Sequence, residues 1–145
     1  RPREISTIDG VYLDTLTWSE ATAGWGEVRL NRSVMDKPMT MAGRRYLRGI
    51  GTHAGSRIDY ALPGGFKTFA ATAGYYQEVR GGSVVFVVKG DDRELFRSPV
   101  AGRDTSPIEI RVPLDGVSRL SLIVEDAGDG IAADHANWAD ARLLK

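Results

Sequence analysis

Residues 83–96, with the sequence SVVFVVKGDDRELF, decide the class of fold. The first eight are rich in the β-branched and aromatic side chains that suit a pleated surface buried on one or both faces. Gly90, Asp91 and Asp92 supply turn chemistry between this apolar run and the next one. The stretch therefore predicts a β-hairpin.

Alternating apolar residues predict further strands on both sides of this hairpin. In SRIDYAL, residues 56–62, the side chains of Ile58, Tyr60 and Leu62 fall on one face. The other candidate strands are KTFAATAGY (67–75), IEIRVPL (108–114), SRLSLIVED (118–126) and the shorter GVYLDTLTW (10–18), GEVRL (26–30) and ARLLK (141–145).

No long stretch repeats its apolar residues with helical spacing, and residues 17–26 and 128–139 are the segments that fit short helical or irregular structure. Many short strands, frequent turns and 17 glycines favour an all-β fold, either an antiparallel β-sandwich or a jelly roll. With no linker or internal repeat, residues 1–145 are expected to form one domain. The chain begins with Arg1 rather than Met, so we expect it to be a segment of a longer protein.

The composition argues against several classes of partner. Lys and Arg together number 19, and so do Asp and Glu, which gives a net charge of zero. Nucleic acids and anionic membrane surfaces require a basic excess, so neither is expected as the main partner. No apolar run approaches the ~20 residues that span a bilayer. Cysteine is absent, which excludes disulfides and thiolate metal sites.

The first candidate functional residue is His53, in the segment GIGTHAGS of residues 49–56. Glycines around a histidine allow a ligand or another part of the backbone to approach closely. Two interpretations stay open. Either His53 forms a hydrogen bond with a ligand at the end of a sheet, or it is buried and bonded to backbone.

A second group of candidates lies in DAGDGIAADHANWAD, residues 126–140. Its aspartates and glycine turns suit a hard cation such as calcium, with Asp126 and Asp129 as candidate ligands. The spacing does not match the twelve-residue calcium loop of helix–loop–helix proteins. The alternative is a turn in which the carboxylates cap backbone N–H groups.

Catalysis is not expected from these residues. The chain has no G-x-S-x-G elbow, no cysteine nucleophile and no H-E-x-x-H motif. A glycosidase with Asp134 as its acid would need a second carboxylate across a cleft, at about 5–10 Å.

Two tryptophans favour ligand binding instead. Trp25 is flanked by glycines in AGWGE, which leaves its ring accessible, and Trp138 adjoins the His/Asp cluster. An indole can stack on the C–H face of a sugar while neighbouring polar groups bond the hydroxyls. The alternative is that both tryptophans belong to the core.

Four separated motifs, in order along the chain, resemble the NPCBM domain, which is also classed as carbohydrate-binding module family 51. They are YLDTLTW…ATAGWGEVRLNRSV, RRYLRGIGTHAGSRIDYAL, GGSVVFVVKGDDRELFRS and DAGDGIAADHANWADARL, and they extend from about Val11 to Leu144. The resemblance implies a galactose-binding-like β-sandwich that is linked to a secreted glycoside hydrolase or surface protein. It also implies binding of galactose-containing glycans, a structural calcium ion and an extracellular or periplasmic location.

The resemblance further implies a sugar site with a supporting shell. The residues that match the family motifs there are Trp25, His53, Asp134, His135 and Trp138. One loop departs from the pattern, because Gly74-Tyr75-Tyr76-Gln77 has tyrosine where the family tends to have an aspartate. Tyr76 and Gln77 are the candidates to replace that contact.

The leading function is thus a non-catalytic carbohydrate-binding module that recognises a terminal sugar and targets an attached protein to glycans. The alternative is a structural or protein-interaction sandwich that has lost sugar binding, which the altered loop suggests. If sugar binding is the function, the loop of His53 and the loop of residues 134–138 are expected to meet at one end of the sandwich.

Overall fold

The computed structural model describes residues 9–76, 81–128 and 134–145, which are nearly all in β-strands and the turns between them. A three-residue 3-10 helix, Leu13–Thr15, follows the first strand. The strands are β1 (Gly10–Tyr12), β2 (Glu20–Thr22), β3 (Arg29–Leu30), β4 (Met39–Met41), β5 (Arg44–Tyr46), β6 (Gly49–His53), β7 (Ser56–Ala61), β8 (Thr68–Tyr75), β9 (Ser83–Gly90), β10 (Arg93–Arg97), β11 (Ala101–Gly102), β12 (Ile108–Pro113), β13 (Arg119–Asp126) and β14 (His135–Leu144).

Two six-stranded antiparallel sheets form the fold. The front sheet has the order β12-β8-β14-β6-β3, and β1 also pairs with β14. The back sheet has the order β10-β9-β13-β7-β2, and β11 also pairs with β9. Strands β4 and β5 form a separate two-stranded hairpin. The predicted all-β class and antiparallel sandwich are therefore confirmed.

Trp138 of β14 packs between the two sheets. Its ring is fully buried and lies 5.0 Å from the ring of Phe86, which belongs to β9 in the back sheet. It also lies 6.5 Å from Phe69 of β8, its neighbour in the front sheet. Both contacts are edge-on, a geometry that contributes about 0.5–1.5 kcal/mol beyond area burial. The indole therefore joins the front sheet to the back sheet.

The hairpin predicted from residues 83–96 is confirmed as β9 and β10. Gly90 pairs with Arg93, so the turn itself consists of Asp91 and Asp92. Their φ angles are 50° and 68°, which is typical of the two-residue turns that match the twist of a hairpin. The Asp91 carboxylate also accepts hydrogen bonds from the backbone N–H groups of Ser118 and Arg119, which fastens the turn to the start of β13.

The expectation for residues 128–139 is wrong where the structure describes them. Residues 135–139 begin the ten-residue strand β14, while residues 129–133 lie outside the described ranges. The sequence pattern does not indicate this strand because both of its faces are buried, so small, polar and aromatic residues do not alternate between core and solvent. Residues 17–26 are irregular except for the short strand β2.

Two predicted strands are shorter than expected. Of residues 10–18, only Gly10–Tyr12 form a strand, because the chain then turns into the 3-10 helix, where the Thr15 hydroxyl donates to the carbonyl oxygen of Tyr12 at 2.7 Å. Of residues 26–30, only Arg29–Leu30 pair with β6.

The outer face of the front sheet is covered at its middle by the chain from Asn31 to Tyr46. In the β4–β5 hairpin, Met39, Met41 and Tyr46 form a small apolar cluster with Ala139 of β14. Nearby, the carbonyl oxygen of Arg32 approaches Gly51 so closely that a Cβ atom there would overlap it.

Replacement of Gly51 by alanine is expected to destabilise the fold. The added methyl group would overlap the backbone of Arg32 and Ser33, and overpacking of this kind costs about 1–3 kcal/mol. Urea unfolding should show a lower midpoint with an unchanged slope. The matched control is Gly64→Ala, because a Cβ atom added at Gly64 would have no other atom within 4 Å. Equal midpoints for the two variants would contradict the close packing at Gly51.

Candidate functional site

Three neighbouring strands place aromatic rings in a row at one end of the front sheet. His53 at the end of β6 pairs directly with His135 at the start of β14, and their ring centroids are 5.0 Å apart. Tyr76 follows β8, its N–H donates to the carbonyl oxygen of His135 at 3.1 Å, and its ring stacks on His135 at 6.3 Å. The expectation that the two histidine motifs meet at one end of the sandwich is confirmed.

Trp25 lies against this row from a loop. Its indole is 5.8 Å from the His53 ring and 5.4 Å from the His135 ring. Gly24 holds the loop in place, because its N–H reaches the carbonyl oxygen of His53 at 3.4 Å and a Cβ at Gly24 would overlap the carbonyl oxygen of Ala54. Trp25 is 52% exposed, so the prediction that its flanking glycines leave the ring accessible is confirmed.

We call Trp25, His53, Tyr76 and His135 the aromatic cluster. Its members differ sharply in exposure, since the two histidines and Tyr76 are each at most 7% exposed while Trp25 presents half of its surface to solvent. The cluster is therefore an exposed indole that is supported from beneath by three buried rings.

The histidine nitrogens define what the cluster can hydrogen-bond. His53 Nδ1 lies 3.2 Å from the carbonyl oxygen of Ala54. A carbonyl can only accept, so this contact favours the tautomer of His53 that carries its proton on Nδ1. This contact agrees with the second interpretation of His53, in which the ring is buried and bonded to backbone. His135 Nδ1 is buried and has no partner within the described residues.

His135 is held in its neutral form. Burial, and after it the neighbouring His53, lower the pKa of His135 from its usual value near 6.5 to about 4. At neutral pH its ring therefore offers one donor and one acceptor without a charge to desolvate.

Asp134 supports the cluster from inside the fold. Its side chain is fully buried, and its Oδ1 accepts a hydrogen bond from the Ser83 N–H at 2.9 Å. Its backbone carbonyl accepts a second bond, from the Ala54 N–H, also at 2.9 Å. Asp134 thus connects the start of β14 with the start of β9 and the end of β6.

The structure brings together some of the predicted site residues and separates others. Trp25, His53, Tyr76 and His135 meet in one cluster, whereas Trp138 lies in the core between the sheets, on the opposite face of β14. Gln77 and Asp129 lie outside the described residues.

Asp126 is described, and its Oδ1 accepts a hydrogen bond from the Gly128 N–H at 2.7 Å. This is the capping contact that the turn interpretation predicts. Among residues 9–76, 81–128 and 134–145, no three His, Asp or Glu side chains are grouped so that they could hold a metal ion.

Asn137 was not among the predicted site residues, although it lies in the same motif. It is fully buried two residues along β14 from His135 and therefore on the same face of the sheet. Neither its Oδ1 nor its Nδ2 has a partner in the part of the chain that is described. Its position between His135 and Trp138 in the sequence was the only hint of a site role. Its burial could not be predicted, because Asn137 pairs with Gly51, and Arg32 and Ser33 of the covering chain lie against that glycine.

The described residues include no helix that is long and apolar enough to cross a membrane.

Comparison with known proteins agrees with this geometry. A family model described as the NPCBM/NEW2 domain matches residues 9–144. A solved structure of a CBM51 domain from Clostridium perfringens GH95, in complex with methyl-galactose, is 36% identical with a TM-score of 0.87, and the match covers 93% of this chain and 99% of that one. A structure of CBM51-2 and INT domains from Clostridium perfringens ZmpB, in complex with GlcNAc, is 31% identical with a TM-score of 0.88, over 91% of this chain and 30% of that one.

Two curated relatives are much longer than this chain. A putative endo-alpha-N-acetylgalactosaminidase of Renibacterium salmoninarum is 30% identical over 92% of this chain, which spans 9% of that protein. An alpha-1,3-galactosidase B of Akkermansia muciniphila is 33% identical over 79% of this chain, which spans 15% of that protein.

The family match covers nearly the whole chain, and the solved CBM51 structures share its sandwich fold. The chain therefore belongs to the NPCBM/NEW2 domain family.

Proposed function

We propose that this chain is a non-catalytic carbohydrate-binding module, which holds a terminal sugar against Trp25 and brings an attached, secreted protein to its glycan. The observation that carries the proposal is an indole that is 52% exposed although it rests on two buried histidine rings. An exposed large aromatic side chain that is nevertheless held rigidly is a feature of binding surfaces.

The chemistry of the cluster suits a sugar. A pyranose has a face of C–H bonds that packs on an indole, and hydroxyls at its rim that need donors and acceptors. Neutral His135 packs against the indole of Trp25, with 5.4 Å between the ring centroids. Tyr76 stacks on His135 and restricts its ring, so little side-chain freedom is lost when a ligand binds.

Galactose is the sugar that we propose. The support is the CBM51 relative whose structure contains methyl-galactose, together with a relative named as an alpha-1,3-galactosidase. Contacts from so few groups give a weak site, with dissociation constants of about 1 μM to 1 mM. Useful targeting then requires several copies or an attached partner domain.

A catalytic role for Asp134 is disfavoured by its surroundings. The carboxyl group is fully buried and bonded to the Ser83 N–H, whereas a glycosidase acid must reach the bond that it cleaves. Since the chain spans 9% and 15% of the two curated relatives, the catalysis that their names describe is proposed to belong to other parts of those proteins.

Loss of sugar binding is the second candidate function. It is favoured by Tyr76, which stands where the family resemblance leads us to expect an aspartate, and whose ring is buried against His135. A protein-interaction role would use the same exposed Trp25. The two functions are separated by direct titration with methyl-galactoside, GlcNAc and glucoside, because a flat response to all three would support the interaction role.

Trp25→Ala is expected to weaken binding of methyl-galactoside by at least about tenfold, which corresponds to about 1.4 kcal/mol. The physical reason is the loss of the apolar platform for the C–H face of the sugar. Isothermal titration calorimetry measures the change. Val100→Ala is the matched control, because Val100 is a similarly exposed apolar residue, at 57%, just before β11 of the back sheet. Equal binding by the two variants would exclude Trp25 from the site.

His135 is expected to titrate far below an ordinary histidine. Because burial lowers its pKa to about 4, the unfolded chain binds the proton more tightly than the folded one between pH 4 and 6.5. The free energy of unfolding should therefore decrease as the pH falls through this window, and His135→Gln should decrease the slope. NMR of the imidazole protons gives the midpoint directly. A midpoint near 6.5 would contradict the proposed neutral site.

Calcium stays a prediction from the sequence, with Asp126 and Asp129 as its candidate ligands. If an ion binds only the folded state, EDTA should lower the melting temperature and added calcium should restore it. Asp126→Asn should abolish this response if Asp126 is a ligand. An identical melting curve in EDTA and in calcium would exclude a structural ion.

A further inference from the structure

A concave site lies on the outer face of the front sheet, beside the β4–β5 hairpin. It has a volume of about 570 Å³, which is within the range of small-ligand sites. We call it the basic pocket. Its charged lining residues are Arg44, Arg45, Arg48, Arg142, Glu109 and Asp140. Arginines exceed carboxylates by two here, although the whole chain has no net charge.

A β-bulge in β14 shapes the pocket. The register of β14 against β8 shifts between Ala139 and Arg142, and Asp140 has a φ of 52°. Ala139 packs under the β4–β5 hairpin while Ala141 belongs to the main core, so the bulge adds Asp140 to the outer face. Aspartate adopts this left-handed conformation more readily than most residues, as Asp91 and Asp92 do in the β9–β10 turn.

Two of the guanidinium groups are held in fixed orientations. Arg48 lies over the Tyr12 ring at 3.9 Å and makes a two-pronged ion pair with Asp14, with both contacts from its Nη2 at 3.0 Å. Arg44 lies over the Tyr46 ring at 4.9 Å. Asp14 occupies the N–H edge of Arg48, so Arg44 is the one of these two stacked groups that can bond a planar or tetrahedral anion.

The remaining charges leave a cationic excess in the pocket. Arg48 is neutralised by Asp14, and the Glu109 carboxylate accepts a hydrogen bond from the Thr72 hydroxyl at 2.9 Å. Arg142 donates to the backbone carbonyl of Asp140 at 2.7 Å. Burial raises the pKa of Asp140 despite the surrounding arginines. With Arg48 paired to Asp14, three arginines face the carboxylates of Glu109 and Asp140, which leaves an excess of one positive charge.

We propose that the basic pocket binds an anionic group, carboxylate or sulfate, that is carried by a sugar of the same glycan. Arg44, Arg45 and Arg142 would contact the anion, because charge-assisted hydrogen bonds from guanidinium groups are the strongest that such a surface provides. Glu109 and Asp140 can accept bonds from sugar hydroxyls. Binding of an anion is inferred from the pocket itself, whereas the inference that a sugar carries this anion rests on the proposed function.

The two sites are far enough apart to be tested separately. Seven residues of β14 separate His135 from Arg142, which is roughly 20 Å at about 3.3 Å per residue. A single sugar cannot reach both sites. Methyl glucuronide, which is not a galactoside, therefore reports on the basic pocket, and uncharged methyl-galactoside reports on the aromatic cluster.

The experiment titrates the chain with galactose 6-sulfate, methyl glucuronide, uncharged methyl-galactoside and sodium sulfate at low ionic strength. We expect the two acidic sugars to bind at least about tenfold more tightly than the uncharged one, and added salt to weaken them. Arg45→Gln and the double variant Arg45→Gln/Arg142→Gln should raise their dissociation constants by at least about fivefold. The single variant is included because the double variant could fail to fold. Arg45 is exposed and has no ion pair among the described residues, so its replacement should not disturb the fold.

Two controls decide between the sites. Arg93→Gln removes the same charge from an exposed position in β10 of the back sheet and should leave acidic-sugar binding unchanged. Trp25→Ala should remove binding of the uncharged galactoside but spare the acidic sugars. Equal affinity for charged and uncharged sugars, or loss of acidic-sugar binding in Trp25→Ala, would overturn the basic pocket. Binding of sodium sulfate without either acidic sugar would overturn the sugar part of the proposal. Failure of the uncharged galactoside alone would count against the aromatic cluster only.

Discussion

The pairing of β14 with β6 on one side and with β8 on the other is the constraint on which the rest of the structure depends. β14 is the central strand of the front sheet, and its first five residues are buried on both faces. Its inner face carries Trp138, which contacts the back sheet through Phe86. Its outer face carries Ala139, which holds the β4–β5 hairpin. One strand thus contributes to the core through Trp138 and supports the β4–β5 hairpin through Ala139.

The same register builds the aromatic cluster. His53 and His135 are 82 residues apart in sequence, and they meet because they are paired positions of β6 and β14. Since side chains alternate strictly between the faces of a strand, a slip of one residue would move His135 to the core and Trp138 to the outer face. Asp134 opposes such a slip, because its hydrogen bonds to Ser83 and Ala54 hold the start of β14.

Features of this structure that depend on neighbouring residues in the chain were predictable from the sequence, whereas features that depend on distant residues were not. The β9–β10 hairpin was predictable because its turn chemistry and its apolar run are adjacent in the chain. The exposure of Trp25 was also predictable, because Gly24 and Gly26 are its immediate neighbours. The end of β14 was predicted from ARLLK, residues 141–145. Its first half was not, since burial of both faces removes the period-two signal. The burial of Trp138 and the basic pocket depend on cross-strand partners and on a bulge, and neither can be derived from spacing along one strand.

In the proposed sugar site, the histidines are already buried before a ligand binds. A charged or flexible side chain would have to be desolvated and ordered when a sugar binds, and that cost would weaken the complex. Here His53, His135 and Tyr76 are already buried and in ring contact. Their desolvation and ordering therefore occur when the chain folds and not when a ligand binds. The Nδ1 of His135 is itself buried, so the surface that the cluster presents to a ligand is mainly the indole of Trp25. We infer that the three buried rings hold Trp25 in place and that the exposed indole supplies most of the contact area.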